Sequence, residues 1–220
     1  MKKRVLSMFM ALALCLTLLP TAALAEETAE NVAEVTISGG TPRQYADIKK
    51  AFTVAQGAKS ATVKLLKNVT IPTNADGHSF GIELKGGNIT LDLNGCTIQT
   101  TGGASRFAPL NAVFYIETGS SLTVQDKSTN GGGKIVQPNG GQAIHVGYNG
   151  TLTVESGVMI EVTSNGESSF SSSASITDQN CAVFLNGGGT ANILGGTLTG
   201  KQGIYVKNGT LSVSGGTIHG

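Results

Sequence analysis

The sequence predicts an all-β protein, a solenoid of three-stranded coils behind one N-terminal α-helix. Three observations predict it. The 220 residues contain 31 Gly and 5 Pro without a three-residue period, which suits tight corners between short strands and excludes collagen-like chains. Apolar-x-apolar triplets recur in aligned sets, so side chains alternate inward and outward as strands require. Only 13% of residues are charged, which fits strands covered by neighbouring strands.

The first element is not part of that solenoid. Lys2, Lys3 and Arg4 open the chain, an apolar run follows from Val5 to Leu19, and Ala23-Leu24-Ala25 supplies a small-x-small triplet. This order resembles a secretory signal peptide over residues 1–25, cut before Glu26, so a secreted or cell-surface protein is expected. The apolar run is shorter than the ~20 residues of a spanning helix, so no membrane association is expected after cleavage. Cleavage removes three cations, moves the formal charge from +1 to −2, and leaves Arg43 and Arg106 as the arginines. Nothing in that balance points to a nucleic-acid partner.

Residues 26–60 form an N-terminal segment with a helix over about 42–56. Thr41-Pro42-Arg43-Gln44 offers a cap, a Pro at the first helical position and a Gln three residues after the cap. Tyr45, Ile48, Phe52 and Ala55 share one face, and Gly57 ends the helix. A solenoid leaves open strand edges and apolar core at its ends, so the helix is expected as the N-terminal lid.

The coils follow over residues 61–220. A first series of strands is Ile82-Glu83-Leu84, Phe114-Tyr115-Ile116, Ile144-His145-Val146, Val183-Phe184-Leu185 and Ile204-Tyr205-Val206. A second is Leu91-Asp92-Leu93, Leu122-Thr123-Val124, Leu152-Thr153-Val154, Ala191-Asn192-Ile193 and Leu211-Ser212-Val213. A weaker third contains Ile98, Ile135, Met159, Leu198 and Ile218. The coil starts lie 32, 30, 39 and 21 residues apart, so the shortest step is the bare coil and the longer ones carry loops. Asn88, Gly119, Asn149, Gly188 and Asn208 precede the second series, and Gly95, Gly157, Gly196 and Gly216 follow it. Asn and Gly adopt positive φ most easily, so both sites read as left-handed corners. Asn68, Asn88, Asn149 and Asn208 also begin N-x-T glycosylation acceptors, but recurrence at a coil corner favours the structural reading.

Three strands per coil and a variable coil length resemble the right-handed parallel β-helix of the pectin-lyase-like superfamily. "NITLDLNGCTI", "GTLTVESG" and "GGTIHG" resemble the adhesin-like secreted repeat proteins of Gram-positive bacteria. The resemblance covers roughly Ala61 to Gly220 and implies an extracellular scaffold whose partner is a polysaccharide or a cell-surface glycoprotein. Gly220 follows the third strand of a coil directly, so further C-terminal coils or domains are expected.

That resemblance also implies what an enzyme would need: clustered Asp residues for calcium or acid-base work, with Arg or Lys nearby. Asp47, Asp76, Asp92, Asp126 and Asp178 are dispersed, and Asp92 shares an apparent column with Thr123, Thr153, Asn192 and Ser212 that reads as solvated surface. No catalytic residue, metal site or cofactor is therefore expected, because paired carboxylates are what such chemistry requires. His78, His145 and His219 are likewise too scattered for a metal. A polysaccharide lyase or glycoside hydrolase is the alternative reading, and a structural spacer the third. Cys96 and Cys181 fall three coils apart, roughly 14 Å along the axis at ~4.8 Å per coil, beyond the ~7 Å reach of a disulfide. Both are expected as mostly buried thiols.

The candidate binding site is the middle position of the first series. Inward flanking residues force Glu83, Tyr115, His145, Phe184 and Tyr205 outward, so four of five sites carry a ring. Such a row is either a stacking ladder that stabilises the sheet or an exposed strip for sugar rings or another protein. The loops Thr101 to Asn111 and Ser164 to Asn180 both run from a third strand to a first strand. That places Arg106, Phe107 and Phe170 on one rim beside the strip.

Overall fold

The computed structural model describes residues 30–73, 80–101, 111–138, 140–163 and 180–220. The expected signal peptide and the loop residues Arg106, Phe107 and Phe170 lie outside the described residues. The chain starts with β1 (Ala33–Ile37) and β2 (Arg43–Tyr45), passes through α1 (Ile48–Gln56), and continues as β3 (Ser60–Leu65) and β4 (Val69–Ile71). Next come β5 (Phe80–Leu84), β6 (Gly87–Asp92), β7 (Thr97–Thr100), β8 (Ala112–Ile116), β9 (Ser120–Gln125) and β10 (Lys134–Pro138). Then follow β11 (Gln142–Val146), β12 (Thr151–Val154), β13 (Met159–Thr163), β14 (Cys181–Leu185), β15 (Gly189–Ile193) and β16 (Thr197–Thr199). The last three are β17 (Gln202–Val206), β18 (Gly209–Val213) and β19 (Thr217–His219).

From β3 onward, strands three places apart in the chain pair in parallel, which builds sheets of eight, six and five strands. β1 and β2 extend the eight-stranded sheet as antiparallel neighbours. The protein is therefore all-β, with three mostly parallel sheets and, among the described residues, one helix. This stacking is compatible with a parallel β-helix. No helix among the described residues is long and apolar enough to cross a membrane.

Register explains the core. Ile82, Phe114, Ile144, Val183 and Ile204 lie side by side in the five-stranded sheet, and the first four are buried. Leu91, Val124, Val154 and Ile193 form a second buried column in the eight-stranded sheet. Two expected alignments are corrected here. Ile89, not Leu91, pairs with Leu122, so Asp92 faces Gln125 rather than Thr123. Ile160, not Met159, pairs with Ile135 and is fully buried, because strand alternation puts Met159 on the other side.

The expected helix start at residue 42 is also corrected. Arg43–Tyr45 pairs with Ala33–Val35 as a strand, which holds those residues extended. Asp47 caps α1 instead, its Oδ1 accepting from the Lys49 and Lys50 amides at 2.8 and 3.2 Å. Ile48, Ala51, Phe52 and Ala55 are buried, and the Phe52 ring meets Phe114 edge-on with centroids 5.5 Å apart. Gln56 ties the helix end to β5, donating to the Glu83 carbonyl and accepting from the Lys85 amide.

Gly95, Gly157, Gly196 and Gly216 all take φ between 75° and 89°, where a side chain would be strained, so the second expected corner is left-handed. At the first corner Gly119, Asn149 and Gly188 are left-handed. Asn88 and Asn208 are not; next to Asn88, Gly87 takes positive φ instead.

Candidate functional site: the outer face of the five-stranded sheet

Two columns of side chains make this face. In register, one runs Glu83, Tyr115, His145, Phe184 and Tyr205. The other runs Phe80, Ala112, Gln142, Cys181 and Gln202. A Cβ on Gly81 would meet Ile71 and Thr100, so the position after Phe80 points to the interior together with Ile82. This local bend puts Phe80 on the outside. Its ring stacks on Tyr115, with centroids 4.3 Å apart and planes 20° from parallel.

The stack then continues without a gap. Tyr115 meets His145 at 4.7 Å, His145 meets Phe184 at 4.8 Å, and Phe184 stacks on Tyr205 at 5.5 Å. The first two contacts are edge-on and the last is nearly parallel, the geometries that ring quadrupoles favour. Glu83, expected at the base of this row, pairs with Lys85 at 2.8 Å instead, and Phe80 supplies the base ring.

The expected exposed strip is corrected by burial. Tyr115, His145 and Phe184 are only 7%, 4% and 4% exposed, and Tyr205 at the end of the row is half-buried. All five residues of β8, β11 and β14 are buried, so these strands are covered on both faces. Burial pushes the Tyr115 hydroxyl up to about 12, with Glu117, Tyr148 and Glu83 adding to the rise. Burial alone lowers His145 to about 4. The Cys181 thiol is likewise pushed up to about 12 by burial.

Polar groups on these strands are left unsatisfied. The His145 Nδ1, both side-chain polar atoms of Gln142 and the Gln202 Oε1 are buried without a hydrogen-bond partner among the described residues. Most buried polar atoms in proteins are paired, so four on one face call for a cause. Sequence reasoning found the rings but missed Gln142, Gln202 and Phe80. They sit three residues before the ring column, where strict alternation puts the two on opposite sides, and the bend at Gly81 turns Phe80 to the ring side.

The eight-stranded sheet presents a different outer face. Its register aligns Thr62, Thr90, Thr123, Thr153, Asn192 and Ser212, and beside them Ser60, Asn88, Ser121, Thr151, Thr190 and Thr210. All are partly or fully exposed, and Ser121 donates to Asn88 at 2.8 Å.

The carboxylates nearest to one another serve the corners. Asp126 accepts from the amides of Gly95, Ser128 and Gly133. Burial works against its ionisation, yet these bonds hold its carboxyl below the usual range. Asp92, expected as solvated surface, is buried and accepts from the amides of Asn94 and Lys127. Both raise the Cys96 thiol after burial, so the structure brings Asp92 and Asp126 to one corner. There they bond to backbone amides. Cys96 and Cys181 are not joined to each other. Among the described residues no group of three or more His, Cys, Asp or Glu is arranged to hold a metal ion. Two clefts of about 430 and 380 Å³ flank α1, one reaching Asp47 and Ile71, the other Arg43 and Tyr45.

No family model, curated protein or solved structure matches this chain.

Proposed function

We propose that the chain is an exported, right-handed parallel β-helix with three strands per coil, of the pectin-lyase-like kind, acting as an adhesin-like extracellular scaffold. Its signal peptide ends at Ala25. It binds glycans, as free polysaccharide or on a cell-surface glycoprotein, along the outer face of the five-stranded sheet. The observation that supports this reading is the ring row from Phe80 to Tyr205 with unsatisfied amide and imidazole atoms on the same strands. Sugars are bound by that combination: ring faces cover their C–H surfaces, and a few fixed polar groups take their hydroxyls. Arg106, Phe107 and Phe170 remain candidates on the sequence alone. A spacer is the second reading, favoured by the burial of Tyr115, His145 and Phe184.

A glycan array on the mature chain, with Tyr205→Ala beside it, tests the proposal. Tyr205 is chosen because it is half-buried and its loss leaves the rest of the stack in place. Binding by the wild type that weakens in the variant supports the reading. An array with no bound glycan supports the spacer, and release of unsaturated or reducing ends from any glycan would make the protein an enzyme.

A further inference from the structure

The outer face of the five-stranded sheet is closed around a group that titrates. We propose that His145 is an acid-operated switch on this face: protonation of its imidazole loosens the ring stack and admits solvent and ligand to the ladder. The inference rests on the reading of this face as a ligand surface and adds its regulation.

The geometry carries it. A neutral imidazole needs one donor and one acceptor partner, whereas an imidazolium needs two acceptors. The His145 Nδ1 has none among the described residues, and its ring is held edge-on between Tyr115 and Phe184 with Phe80 at 6.3 Å. Ionisable groups on the packed strands are Glu83 on β5, Tyr115 on β8, Cys181 on β14 and Tyr205 on β17. Glu117 and Tyr148 lie at the adjoining corners, and Lys85 is engaged with Glu83. None of the carboxylates contributes to the His145 environment, where burial is the one cause of the lowered basicity. A proton arriving on Nδ1 would therefore create a buried cation without a counter-ion among the described residues, which is strongly disfavoured. Gln142 and Gln202 make closure weaker still, since opening gives their orphaned amides water to bond. Opening restores an ordinary imidazole, so acid favours the open form.

Cys181 reports the event, because it lies in register with Gln142 and is fully buried while this face is closed. The experiment measures Cys181 labelling by a dipyridyl disulfide, a reagent that reacts with thiols in acid, in the full chain carrying Cys15→Ser and Cys96→Ser. Rates are referred to a short peptide with the same cysteine at each pH. With His145 at about 4 when closed and 6.5 when open, relative labelling should rise about 100-fold between pH 7 and pH 4. The same chain with His145→Phe should show a flat ratio, and His145→Leu serves if the Phe variant does not fold. A rise of equal size in the variants, or a flat wild type, would overturn the switch. Glycan arrays at pH 7 and pH 4.5 decide the ligand reading separately: no binding at either pH with labelling still His145-dependent would sink that reading and leave the switch standing.

Discussion

The outer faces of two sheets in the same stack differ in nearly every physical respect. On the eight-stranded sheet, Thr62, Thr90, Thr123 and Thr153 repeat one short polar side chain and remain accessible to water. On the five-stranded sheet, Tyr115, His145 and Phe184 are buried, and four polar atoms near them have no partner among the described residues. Both faces arise from the same alternation, and the backbone ladder is the same kind. The difference shows that the ladder alone does not require rings, an imidazole or buried amides, since hydroxyls serve it on the neighbouring sheet. What the second face carries beyond the first is what the proposed glycan site draws on.

The largest effect expected from this contrast is on folding. Phe184→Ala or Tyr115→Ala removes a buried ring from a continuous stack and should lower stability by roughly 3–5 kcal/mol in chemical denaturation. A loss below that of a surface substitution would mean the rings are not packed as described. These two variants are therefore poor tests of binding.

Next in size is the pH effect. His145 is lowered to about 4 from an unfolded value of 6.5, so the unfolded chain takes up its proton first as pH falls. Stability from this residue is whole above pH 6.5 and is lost through pH 4, on the order of 3 kcal/mol. Denaturation at pH 7 and pH 4 should show that much more loss in the wild type than in His145→Phe. Asp126, held below the usual range, is common to both chains and cancels in the difference.

Smaller again, Tyr205→Ala truncates a half-buried ring at the end of the row and should cost about 1–2 kcal/mol. The smallest effect belongs to the other face. Thr123→Val or Thr153→Val should change stability by no more than about 0.5 kcal/mol and leave any glycan binding unchanged. A large effect there would erase the contrast between the faces.

Much of this architecture was legible in the chain. Leu122-Thr123-Val124 and Leu152-Thr153-Val154 name their own register, because apolar residues flank one polar residue in each and Gly157 closes the corner. The alignment slipped where that signal is ambiguous. Ile89, Leu91 and Leu93 offer two equally apolar registers, and only pairing with Leu122 and Val124 chooses between them. Met159 and Ile160 pose the same problem. The helix start was misread because Thr41-Pro42 fits a cap locally, while the pairing of Arg43–Tyr45 with β1 is a long-range contact that no local pattern announces. Outward direction was read correctly for Tyr115, His145 and Phe184, but direction is not exposure. Alternation fixes which side of a sheet a residue faces, and whatever packs on that side is decided by residues distant in sequence.

Hydrogen exchange on the full chain, with and without a glycan bound, tests the central claim most directly. The account predicts that ligand slows exchange in β8, β11, β14 and β17 and leaves β9, β12 and β15 unchanged. Protection confined to β9, β12 and β15 would contradict it, because the hydroxyl face and not the ring face would then hold the sugar.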